Sequence, residues 1–98
     1  MNRNEAITAL GMLADAIKAR GATSLFLFGS AARDSATSAS DLDLFMDYAP
    51  EDKFSLIDLV DIKLYLEDHL GVPVDITTRD SLHPMLRRGI ENSAIRVF

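Results

Sequence analysis

Residues 28–44 read Phe-Gly-Ser-Ala-Ala-Arg-Asp-Ser-Ala-Thr-Ser-Ala-Ser-Asp-Leu-Asp-Leu: a Gly-Ser turn follows one apolar run, and an Asp-Leu-Asp pair opens the next. Side chains alternate along a strand, so Asp41 and Asp43 are expected on one face while Leu42 and Leu44 point into a core. At ~5 Å and an effective dielectric of about 20, the two carboxylates repel by roughly 3 kcal/mol. A cation between them removes that cost, and hard divalent ions such as Mg²⁺ accept carboxylate and phosphate oxygens together. A triphosphate arriving with the ion could be held by the backbone N–H groups of Gly29 and Ser30 if a helix begins there. Glycine at 29 lets the backbone approach phosphate closely, and the Ser30 hydroxyl can donate to phosphate oxygens. The spacing points to chemistry on a metal-bound nucleotide.

The elements around these residues are legible from periodicity. Ile7, Leu10, Leu13, Ala14 and Ile17 lie at helical spacing between Glu5 and Arg20, and Gly21 is a natural stop. Leu25 to Phe28 fits a buried strand, Ser30 to Asp34 a short helix, the small polar run Ser35 to Ser40 a loop, and Leu42 to Met46 a second strand. Ser55 to Leu70 predicts a long amphipathic helix ended by Gly71, Val74 to Thr77 a third strand, and Ser81 to Asn92 a last helix with Pro84 in its first turn. The apolar tail Ile95 to Phe98 has no assigned form. Gly29 closes the first strand and Asp41 opens the second, so the two share a site only if these strands are antiparallel. The long helix between the second and third strands predicts a parallel pair with a right-handed crossover. The expected fold is α/β, a small mixed β-sheet with packed helices.

The chain has 98 residues, 48% hydrophobic, which predicts one domain over 1–98. There is no cysteine, hence neither disulfide nor thiolate metal site. The N-terminus has no apolar signal core, and no uncharged run approaches the ~20 residues that span a bilayer, so a cytoplasmic protein without membrane attachment is expected. A net charge of −5 disfavours long nucleic acid as the partner and leaves Mg²⁺-bound nucleotide compatible. His69 and His83 share no metal-ligand spacing and read as surface residues; Tyr48 and Tyr65 read as packing at the core edge.

Gly29, Ser30, Ala32, Arg33, Ala36, Ser40, Asp41, Asp43 and Leu44 all fall in register with the signature Gly-Ser-x-Ala-Arg-Gly-x-Ala-x-x-x-Ser-Asp-x-Asp-Leu. The run therefore resembles the DNA polymerase beta-like nucleotidyltransferase superfamily in its minimal nucleotidyltransferase branch. Asp34 stands where that signature has Gly, adding a negative charge beside the phosphate site. The resemblance covers nearly the whole chain and implies a palm-like core. It also implies a third carboxylate, supplied by Asp75 in Val-Pro-Val-Asp-Ile-Thr at 72–77.

By the same resemblance Asp41 and Asp43 bind two Mg²⁺ ions, and Asp75 completes the site on the acceptor side, where it can take the hydroxyl proton. Arg33 has two uses open to it, contact with the triphosphate or pairing with Asp34 or Asp41 to hold the loop. Ser40 is assigned to orienting a carboxylate. The implied reaction is transfer of AMP from ATP to a hydroxyl with release of pyrophosphate. The implied partner is a small helical ribonuclease toxin of the HEPN type in a hetero-oligomer; the chain would act as its antitoxin by adenylylating a tyrosine. The alternative is a binding module that neutralises the toxin by complex formation alone. Arg87, Arg88 and the tail at Ile95, Val97 and Phe98 are expected to form the docking edge.

Overall fold

A computed structural model describes residues 1–33 and 41–98. The chain runs α1 (Arg3–Met12), α2 (Ala14–Ala19), β1 (Ala22–Phe28), α3 (Gly29–Ala32), β2 (Leu42–Tyr48), α4 (Leu56–Leu70), β3 (Val74–Thr78), a 3₁₀ turn (Arg79–Ser81), α5 (Pro84–Ser93) and β4 (Ile95–Arg96). The sheet order is β3-β2-β1-β4. β2 is antiparallel to β1 and parallel to β3, while β4 lies antiparallel on the outer edge of β1. The mixed α/β sheet expected from the sequence is thus present, with a fourth strand.

Local signals set the helix ends. Ser55 and Asp58 form a reciprocal capping box that starts α4, and Gly71 ends it in the left-handed region at φ 69°. A second capping box, Asn2 with Glu5, starts α1 two residues before the expected Glu5. The single helix expected over 5–20 is broken at Leu13, whose φ of −98° and ψ of 3° interrupt the helical ladder. The last helix begins at Pro84, with the His83 imidazole accepting from the Met85 N–H at 3.2 Å. That shortens the expected Ser81–Asn92 helix, because Arg79–Ser81 winds as a separate 3₁₀ turn.

One face of the sheet carries the core. Leu25 and Leu27 of β1, Leu42, Leu44 and Met46 of β2, and Val74 and Ile76 of β3 join Leu10, Ile17, Ile62 and Leu66 from the helices in a single buried cluster. Each such side chain contributes roughly 1.5–3 kcal/mol of burial, so this layer fixes the sheet's register against the helices. Alternation sends Phe26, Phe28, Asp43, Phe45, Asp47 and Asp75 to the other face. There the rings of Phe26 and Phe45 stack at 4.7 Å, and the Arg79 guanidinium lies over both at 4.8 and 5.1 Å.

The apolar tail is not a loose end but an outer strand of the sheet. The Val97 N–H donates to the Leu25 carbonyl at 2.8 Å and the Leu25 N–H to the Phe98 carbonyl at 3.1 Å, while Ile95, Val97 and Phe98 pack against the core. A tail of four residues, three of them apolar, is too short to announce an edge strand. Arg87 is held 3.5 Å from Glu91, and Arg88 remains exposed.

Arg79 ties this face together. It donates from Nε and Nη2 to the two Asp47 carboxylate oxygens at 2.8 and 3.0 Å, and from Nη1 to Glu91 of α5 at 2.6 Å. Ser24, buried in β1, donates to the same Asp47 carboxylate at 2.6 Å. Burial raises the Asp47 pKa, but the hydrogen bonds from Arg79 and Ser24 outweigh it and leave the carboxyl below its ordinary 3.8. A depressed carboxyl pKa stabilises the fold above the unfolded value and loses that contribution as pH falls through the folded value. Relative to Asp47→Asn, wild type should therefore be more stable by about 1 kcal/mol near pH 6, screening by solvent included. Urea midpoints of the two proteins should converge as pH falls below 3.8; an undiminished gap there would rule this origin out.

Candidate active site

Asp43 lies one residue into β2, and its two register partners define its surroundings: Phe28 on β1 and Asp75 on β3. Directly opposed residues share a face, so the Asp43 and Asp75 carboxylates stand side by side with the Phe28 ring on the far flank. Asp41 differs from expectation in one respect. It precedes the first residue of β2 and is exposed rather than lying within the strand. What anchors this strand end is the Leu42 N–H, which donates to the Pro73 carbonyl at 3.0 Å and so sets the register that brings Asp75 beside Asp43.

The charges interact. Burial first, then the negative charges of Asp75 and Asp41, raise the Asp43 pKa above 3.8, while the Arg33 guanidinium lowers it in part. Arg33 caps the C-terminus of α3 with its side chain exposed, and its charge acts on Asp43. Among the described residues, the carboxylates are not drawn into a closed cage of three ligands. They form an open rim, oxygen donors only, crowded enough that Asp43 resists ionisation. That donor set suits a hard divalent cation, which would relieve the repulsion. Ser40, expected to orient a carboxylate, lies outside the described residues, as does Asp34.

Gly29 is dictated by the same carboxylate. Its φ is +72°, and a Cβ there would run into the Asp43 carboxylate, with the Cγ atom at 3.2 Å. The turn from β1 into α3 is thus pressed against Asp43, placing the backbone of Gly29 and Ser30 at the edge of the acidic rim. The expected short helix starts one residue early, at Gly29, and ends at Ala32. Four of the expected site residues, Gly29, Arg33, Asp43 and Asp75, are therefore tied by contact, charge or register, with Asp41 and Ser30 adjoining in sequence. Phe28 is the neighbour that sequence reasoning passed over. Alternation from the buried Leu27 would have put it on the carboxylate face.

Two clefts of the described surface lie at the other end of β2. One of about 310 Å³ is lined by Asp47, Tyr48, Arg79 and Arg87, and another of about 450 Å³ by Tyr48, Phe54, Leu56 and Ser81. Tyr48 separates them, stacked on Phe54 at 5.1 Å and donating its hydroxyl to Asp80 at 2.7 Å. No helix of the described residues is long and apolar enough to cross a membrane.

Comparison with known proteins agrees with this architecture. A protein of Methanocaldococcus jannaschii named "Putative protein adenylyltransferase MJ0435" is 43% identical over 72 residues, covering 74% of this chain and 75% of its own. A solved structure described as "Structure of putative minimal nucleotidyltransferase" superposes with a TM-score of 0.82 at 34% identity, over 97% of this chain and 95% of its own. A second, described as a toxin-antitoxin with AMP-PNP, superposes with a TM-score of 0.73 over 100% of this chain and 73% of its own; at 22% identity it supports the fold alone. The nucleotidyltransferase domain family matches residues 10–97. With strand order, Gly29 turn and paired aspartates in place, this chain belongs to the nucleotidyltransferase domain family.

Proposed function

We propose that the protein transfers AMP from Mg²⁺-bound ATP to a tyrosine hydroxyl of a helical ribonuclease toxin of the HEPN type, and thereby serves as its cytoplasmic antitoxin. The observation that carries the reading is the cross-strand pair Asp43–Asp75 set against the Gly29 turn. Support for the class of acceptor comes from relatives named as protein adenylyltransferases, and for the partner from a structural neighbour described as a toxin-antitoxin.

Asp41, Asp43 and Asp75 would hold one or two Mg²⁺ ions, which when bound supply charge neutralisation at the triphosphate and the leaving pyrophosphate. Gly29 and Ser30 bring backbone and hydroxyl donors to the phosphates, and Arg33 places a positive charge on the same side. The acceptor oxygen attacks the α-phosphorus in line, the bond from that phosphorus to the β-bridging oxygen breaks, and pyrophosphate departs. Asp75, on the outer strand of the rim, takes the phenol proton.

The test is survival of cells that express the co-encoded toxin. Wild type should protect, and the Asp41→Asn/Asp43→Asn double variant should not. Full protection by the double variant would show that neutralisation works by complex formation, without catalysis.

A further inference from the structure

We propose that the outer face of α4 is a docking surface for an amphipathic helix whose apolar side is bordered by lysine and arginine. The proposal rests on the reading that a helical partner completes the protein. Ile62 and Leu66 of α4 are fully buried against the sheet, yet Leu56, Ile57, Val60 and Leu64 on the opposite side are 75, 80, 44 and 58% exposed. Four large aliphatic side chains in one strip form an apolar patch of roughly a few hundred Å², a size that is often functional. Leu56, Val60 and Leu64 repeat every four residues, so they make a ridge about 12 Å long. A ridge of that pitch matches the spacing of anchors along a facing helix.

Charge selects the occupant. Residues 51–70 hold six carboxylates and two lysines, and so carry four of the chain's five net negative charges. Asp68 is 86% exposed beside the strip and Asp61 62%, the latter partly offset by Arg20 at 3.3 Å. An apolar strip in an acidic border is complementary to an apolar strip in a basic one. Among the described residues of a second copy, α5 carries exposed apolar side chains next to arginines, Met85 and Leu86 beside Arg87 and Arg88. That contact would join α4 of one copy to α5 of another, in a closed or an open assembly, and would show as self-association of the protein.

The experiment titrates two fluorescein-labelled, hydrocarbon-stapled helical peptides into the protein, both with leucines on one face, one flanked by Lys and Arg, the other by Glu. The basic-flanked peptide should bind at least about tenfold tighter, and its affinity should fall as salt rises. Ile57→Lys/Leu64→Lys should weaken it by about a hundredfold with the melting temperature unchanged, since both positions are solvent-facing. The Asp41→Asn/Asp43→Asn protein should bind the peptide as wild type does, which separates this surface from the transfer site. The proposal is overturned if neither peptide binds, if both bind equally, or if the α4 double variant binds undiminished. Wild-type self-association that the α4 double variant lacks would also overturn it.

Discussion

Replacing Asp43 by Asn is expected to lower AMP transfer by about three orders of magnitude, roughly 4 kcal/mol of transition-state stabilisation, while leaving the fold slightly more stable. The loss follows from removing a charged oxygen donor from the centre of the rim with no change in side-chain volume. The gain follows from the carboxyl's raised pKa, caused by burial and by Asp75 and Asp41. A carboxyl that ionises more readily unfolded than folded destabilises the native state once it is charged. Most of that effect is screened because the group is partly exposed, so the variant should gain about 0.5 kcal/mol at neutral pH. The advantage should disappear as pH falls through the raised folded pKa towards 3.8. Thermal melts of both proteins across pH check the sign. A variant less stable than wild type at neutral pH would mean that Asp43 is a structural anchor, not a crowded ligand.

Gly29→Ala is the second large effect, and it should act on stability and activity together. An alanine at φ +72° costs about 1–2 kcal/mol in the left-handed region. Its Cβ also strikes the Asp43 carboxylate, so either the turn or the carboxylate must move. We expect a loss of about 2 kcal/mol by urea denaturation and a fall in transfer of about a hundredfold, since small misplacements at a reacting site are costly. Gly71→Ala is the control. It shares a positive φ of 69°, but a Cβ there meets nothing within 4 Å, so it should lose stability without losing transfer.

Much of this was readable before the fold was known, because the information was local. A Gly-Ser turn, the Asp-Leu-Asp spacing, a helix between Ser55 and Gly71 and a strand with Asp75 near its start each depend on a few adjacent residues, and together they force the antiparallel and parallel pairings. What escaped depends on distant partners. Arg79 reaches Asp47 across 32 positions, and no local pattern marks that pair. Ser24 is buried because Asp47 accepts its hydroxyl, so the start of β1 was hidden by polar residues that look like loop. The tail became β4 through bonds to β1, and the break at Leu13 came within an unbroken apolar period. One signal was available and unused. Continuing the alternation of Asp41 and Asp43 places Phe45 and Asp47 on the same face, which is where the aromatic and Arg79 layer lies.

The central claim, that the aspartate rim carries transfer of a nucleotidyl group, is tested most directly by following two labels. The protein is incubated with Mg²⁺, the proposed helical toxin partner, and ATP labelled at either the α- or the γ-phosphate. The α-label should become attached to a tyrosine of the partner and the γ-label should leave in pyrophosphate, with neither event in the Asp41→Asn/Asp43→Asn protein. Attachment of the γ-label, or equal α-labelling by the double variant, would contradict the account.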